Sequence, residues 1–102
     1  MTEDLNVLVE YIAQWAEDRN IIEGSHLQAQ MLKLTEEMGE LAGAIAKGRT
    51  EEAYDAVGDM MVVLIIIAKQ LDTDLGKCLA GAYEEIRHRK GKMVNGVFVK
   101  EE

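Results

Sequence analysis

Asp59 runs straight into nine consecutive apolar residues, Met60-Met61-Val62-Val63-Leu64-Ile65-Ile66-Ile67-Ala68. So apolar a run has to be wrapped by the rest of the chain. It is far short of the roughly 20 residues that cross a bilayer, so it predicts a buried element and not a membrane span. Its β-branched content also suits a strand. The flanks favour a helix. Thr50 can serve as N-cap, with Glu51 and Glu52 favourable in the first turn. Asp55 and Asp59 share a helical face with Val62, Val63 and Ile66. The spacing predicts a helix from Thr50 to about Leu71, buried all round from Met60 to Ala68.

Three more helices read around it. Leu5, Leu8, Ile12, Trp15 and Ala16 recur at helical spacing over Glu3 to Asp18, and "RNIIEG" breaks that pattern. Ser25 with Gln28 forms a capping box for the next helix. There Leu27, Met31, Leu34, Met38, Leu41 and Ile45 step by four and three into one apolar stripe, and Gly48 is the stop. Asp72 or Thr73 caps the last helix, which carries Leu75, Leu79, Ala82, Tyr83 and Ile86. It ends in "RHRKG", with Gly91 as its stop. Asn95-Gly96 between short apolar runs signals a hairpin, which needs something to pack on. The absence of proline favours helices throughout. The expected fold class is all-α: one domain over 1–102, a bundle of about four helices with a short C-terminal β-hairpin-like tail.

A chain of 102 residues builds only a modest core, and oligomerisation is the natural remedy. The net charge of -8 argues against general nucleic-acid binding, which needs a basic face. Cys78 is the lone cysteine, so no intrachain disulfide forms and a reducing compartment is expected. The acidic opening "MTEDLNVLVE" does not read as a signal peptide. The expected location is cytoplasmic, with no membrane partner.

The carboxylates carry the chemistry. On the second predicted helix Gln30, Lys33, Glu37 and Glu40 fall along one strip that borders the apolar stripe, with Glu37 nearest to it and Glu36 pointing further away. On the third, Asp55 and Asp59 prolong an apolar face. Like charges at such spacing repel, and burial makes the repulsion worse. Two helices joined by a short break pack antiparallel, so the two acidic patches can face each other. Oxygen-only ligands without a thiolate point to a hard cation, Mg²⁺ or Mn²⁺. The competing reading is a pair of solvated helix faces. A di-iron bundle would need Glu-x-x-His, and zinc spacing and a complete P-loop are both missing. Carboxylate-held Mg²⁺ usually meets its substrate through phosphates, which require positive charge nearby. Lys33, Arg87, Arg89, Lys90 and Lys92 are candidates. Lys33 serves equally as an i, i+4 partner of Glu37, and the terminal basic run as a complement to the helix dipole.

"KLTEEMGEL" (33 to 41), followed by "DAVGDMMVVL" (55 to 64), resembles the MazG-like all-α NTP pyrophosphatase family. The ending "AYEEIRHRKGKMVNGVFVKEE" resembles its small single-domain form, common in bacteriophages. The resemblance implies a helical bundle assembled as a homodimer or a homotetramer. It also implies Mg²⁺-dependent cleavage of a nucleoside triphosphate between its α and β phosphates. The family's ligands come from ExxE and ExxD. Glu37 and Glu40 match the first pair and Asp59 the last residue, while Ala56 stands where the family usually has Glu. Asp55, one residue earlier, is the expected substitute. The phosphate role of the last helix in larger relatives falls here to Arg89 or Lys90.

The resulting expectation is an Mg²⁺-dependent nucleotide pyrophosphohydrolase, with Mn²⁺ as an alternative ion. Glu37, Glu40, Asp55 and Asp59 hold the metal, and Glu36 or Glu40 handles the attacking water. Lys33, Arg89 and Lys90 bind phosphate. Trp15 is a candidate for the base pocket, although a core tryptophan is the plainer expectation. Met31, Met38 and Met60 read as core. The alternative function is a non-catalytic oligomeric interaction module or nucleotide sensor.

Overall fold

The computed structural model describes residues 1–101 and consists of five helices followed by a hairpin. The helices are α1 (Leu5–Asp18), α2 (Ile21–Gly24), α3 (Leu27–Ala46), α4 (Thr50–Gln70) and α5 (Leu75–Ile86). Strands β1 (Gly91–Val94) and β2 (Val97–Lys100) close the chain. The all-α expectation holds. The "RNIIEG" break contains one extra turn of helix, α2, entered through Asn20 at φ 57. The Gln70 side chain on α4 donates to the Ile22 carbonyl at 3.2 Å and ties that turn down.

α4 is the central element. Each of the other helices packs on it, and α3 does so along most of its length. Val63, Ile65, Ile66 and Ala68 of the apolar run are buried, and Ile65 is sealed most completely. The expectation of burial all round from Met60 to Ala68 fails: Leu64 remains 36% exposed, and Met60, Met61, Val62 and Ile67 are only half-buried. Ala16, Leu34, Ala44 and Ala56 complete the small core.

The helix ends show where local rules hold. α3 stops at Gly48 (φ 68) in a Schellman turn: Arg49 N donates to Ala44 O at 2.9 Å and Gly48 N to Ile45 O at 3.2 Å. Three caps differ from expectation. His26, not Ser25, caps α3, its Nδ1 accepting from Ala29 N at 3.2 Å. Ser25 closes α2, and its hydroxyl instead accepts from Gln30 Nε2 at 3.0 Å. Thr50 is already helical, and Arg49, at the cap position of α4, offers no side-chain hydrogen bond. Asp72 is left-handed (φ 58) and ends α4. Asp74, two residues on, caps α5 by accepting from Lys77 N at 2.8 Å.

α5 ends at Ile86 rather than running to a stop at Gly91, which instead begins β1. A Cβ there would run into the Val99 carbonyl and the Phe98 ring, so the close strand approach needs glycine. The antiparallel register pairs Met93 with Phe98 and Val94 with Val97 around Asn95-Gly96, both at positive φ. Neither α5 nor the hairpin contains a buried residue. The radius of gyration is 16.0 Å, against about 13 Å for a compact chain of this length. No helix is long and apolar enough to cross a membrane.

Candidate metal and nucleotide site

On α3, Lys33, Glu37, Glu40, Ala44 and Lys47 step by four, three, four and three, which sets them in one strip. Glu37 is the innermost acid, only 6% exposed. Its Oε1 lies 3.4 Å from Lys33 Nζ. Its Oε2 is buried with no hydrogen-bond partner. An orphaned anionic oxygen in a seam is costly unless something positive meets it.

Across the seam, Asp59 is half-buried on α4, and Asp55 one turn earlier is exposed. Burial raises the Asp59 carboxyl above its ordinary range, and the charges of Asp55 and Glu37 push it further. The charge of Glu37 on α3 thus acts on Asp59 on α4. The Glu40 carboxyl is also raised, chiefly by the charge of Glu37. Lys33 is held above its ordinary value by Glu36 first and Glu37 next. Lys33 is thus an i, i+4 partner of Glu37 and at the same time the cation at one end of the acidic strip.

These residues suit a hard cation. The donors are all oxygens, and one buried oxygen, Glu37 Oε2, has no partner. Among the described residues no three His, Cys, Asp or Glu side chains form a ready-made cage. Ala56 is buried, 3% exposed, and Asp55 stands beside it on the open side.

A groove of about 650 Å³ opens where α3 meets α4, lined by Gly39, Glu40, Gly43, Lys47, Arg49 and Asp55 among others. Lys47 and Arg49 were passed over by the sequence reading. The spacing of Lys47, seven residues after Glu40 on the same strip, was the available signal. A larger cavity of about 860 Å³ lies at the other end of the bundle, between α2, the start of α3 and the α4–α5 turn. It holds none of the expected site residues; Glu40 and Asp55 line the smaller groove, whereas Glu37 and Asp59 line neither.

The remaining candidates scatter. Glu36 is exposed beside the strip. Trp15 is neither core nor cavity wall: it is 42% exposed on α1, with the Arg19 guanidinium stacked 4.9 Å from its ring centroid. Arg89 and Lys90 are exposed in the link between α5 and β1 and line neither cavity. Met31 and Met38, expected in the core, are 50% and 47% exposed, and Met60 is half-buried. The α3 stripe buries Leu34, whereas Leu27 and Ile45 join the methionines at the surface.

Comparison with known proteins matches residues 25–94 to the family model described as the MazG nucleotide pyrophosphohydrolase domain. The matched span covers α3, α4, α5 and β1. A protein of Haemophilus phage HP1, named only as an uncharacterized 18.2 kDa protein in the rep-hol intergenic region, is 48% identical over 71 residues. The aligned stretch is 70% of this chain and 44% of that relative, so the chain spans under half of the relative's length. No solved structure matches.

Proposed function

Because the chain belongs to the family of MazG nucleotide pyrophosphohydrolase domains, we propose that it is a pyrophosphohydrolase that uses Mg²⁺, or Mn²⁺, on a nucleoside triphosphate. The products are the nucleoside monophosphate and pyrophosphate. The observation that carries this reading is Glu37, a buried carboxylate with one oxygen unpartnered, one turn before Glu40 on α3.

Glu37, Glu40 and Asp59 hold the metal, with Asp55 in place of the acid absent at Ala56. The ion supplies charge neutralisation on the phosphates. Glu36 or Glu40 takes the proton of the attacking water. Water attacks the α phosphorus, its proton passes to the carboxylate, and the bond to the bridging oxygen breaks to release pyrophosphate. Lys33 steadies the phosphates from one end of the strip.

The working unit is a homodimer or homotetramer. Leu27, Met31, Met38 and Ile45 on α3, Leu79, Tyr83 and Ile86 on α5, and Met93, Val94, Val97, Phe98 and Val99 of the hairpin are apolar and exposed. The isolated two-stranded hairpin requires a surface to pack on. A second copy supplies one, and it also gives Trp15, Arg89 and Lys90 a route to a neighbouring site.

The test is incubation with each nucleoside triphosphate and Mg²⁺, with pyrophosphate and monophosphate as readout. Turnover lost in Glu37→Gln and Asp59→Asn, with the fold intact, supports the reading. Nucleotide binding without any pyrophosphate from the parent protein would instead indicate a sensor.

A further inference from the structure

We propose that Lys47 and Arg49 form a phosphate subsite at the loop end of the carboxylate strip, holding the part of the substrate that leaves as pyrophosphate. The inference rests on the reading above. It adds the residues that select for a terminal phosphate.

The geometry comes from the α3–α4 turn. Lys47 and Arg49 flank Gly48, and the Schellman hydrogen bonds fix the backbone on both sides. Both side chains are exposed, and both line the groove that also contains Glu40 and Asp55. Lys47 lies seven residues beyond Glu40, about 10 Å along the helix axis. A phosphate chain anchored at the carboxylates, met by an extended lysine side chain, covers that distance. Lys33 occupies the other end of the strip, so Glu37 and Glu40 lie between cations at both ends.

Two further observations suit an anion at this end. Gly39 and Gly43 have no atom within 4 Å of where a Cβ would sit, which leaves the groove open along α3. The first turn of α4 points unpaired amides outward, and Arg49 provides no side-chain cap for them. Glu51 and Glu52 share the lining and oppose an anion there. The Arg49–Glu52 pair, 3.7 Å apart and exposed, is weak enough to exchange for a phosphate. Lys47 has no carboxylate partner among the described residues and is the stronger of the two cations.

The experiment titrates inorganic tripolyphosphate into the Mg²⁺-loaded protein by calorimetry, alongside KM and kcat for the triphosphate and inhibition by pyrophosphate. Lys47→Ala and the Lys47→Ala/Arg49→Ala double variant should each weaken tripolyphosphate binding and raise KM by about tenfold or more. Lys47→Arg should recover most of the loss. Gly43→Leu, which fills the groove without changing charge, should mimic the loss. The Mg²⁺-induced shift in Tm should stay at the parent value in the lysine and arginine variants. Unchanged tripolyphosphate binding in the double variant overturns the subsite, even if Glu37→Gln is inactive and the proposed activity stands. Absence of tripolyphosphate binding to the parent overturns it as well. If the parent binds tripolyphosphate but turns over no triphosphate, loss of that binding in the Lys47 and Arg49 variants supports the subsite and removes the enzymatic reading instead.

Discussion

Lys33 Nζ stands 3.4 Å from Glu37 Oε1, while Oε2 of the same carboxylate is buried without a partner. One oxygen is balanced and the other is not. Lys33 is 52% exposed, so removing the Glu37 charge does not strand a buried cation. Metal-free Glu37→Gln is therefore expected to melt at the parent temperature or a few degrees above it. A gain of about 1 kcal/mol would raise Tm by roughly 4–8 °C. Mg²⁺ should raise Tm of the parent and leave the variant unmoved. Thermal unfolding with and without Mg²⁺ checks both, and a metal-free variant melting well below the parent contradicts a site built for a cation.

Asp59 and Glu40 both have raised carboxyl pKa values in the fold, the first mainly through burial and the second mainly through the charge of Glu37. A carboxyl raised on folding keeps its proton in the folded chain at pH values where the unfolded chain, titrating near 4, has lost it. Stability is then greatest below that window and falls as pH rises through it. The metal-free protein should gain Tm between pH 7 and about pH 5. Asp59→Asn should gain less, and that difference isolates the residue. Mg²⁺ requires ionised ligands, so it should flatten or reverse the trend. A parent and an Asp59→Asn variant with identical pH profiles would refute the assignment.

Ala56 stands three residues before Asp59 and is 3% exposed. A glutamate there would enter a packed seam with an unpaired charge. Metal-free Ala56→Glu should lose about 2 kcal/mol or more through overpacking and burial of charge, a Tm drop of roughly 8 °C or more. If the new carboxylate reaches the ion, Mg²⁺ should return a larger Tm increment than it gives the parent. An increment no larger than the parent's would show that position 56 does not reach the metal, leaving Asp55 as the fourth acid.

The pairing of α3 with α4 was legible because helical spacing is local: each residue's face follows from its neighbours, and Gly48 makes the short antiparallel join explicit. Other features were hidden for physical reasons. A histidine can cap a helix through Nδ1, yet hydroxyl and carboxylate caps dominate expectation, so Ser25 concealed His26. Periodicity identified the Leu27–Ile45 stripe as apolar. It could not say which neighbour covers it, and within one chain most of it is uncovered. Lys47 and Arg49 resemble ordinary solubilising loop charges until the groove between α3 and α4 is seen.

Tyr83 and Ile86 extend the exposed stripe begun by Leu79 on α5, and the hairpin beyond carries Met93 and Phe98 on one face and Val94, Val97 and Val99 on the other. Apolar area of this kind, on a segment that touches little of its own chain, calls for a partner copy. The parent should therefore run as a dimer or tetramer by light scattering. Tyr83→Lys should raise the dissociation constant about 30-fold, as expected for an aromatic anchor worth about 2 kcal/mol. Removing residues 91–102 should weaken assembly while leaving the helical signal of α1 to α4, because neither strand contributes a buried residue to the core. If assembly instead depends on α3 alone, Tyr83→Lys and the truncation will both associate as the parent does, and Met31→Lys with Met38→Lys will dissociate it. A monomeric parent at all concentrations would show that these apolar faces do not serve self-association.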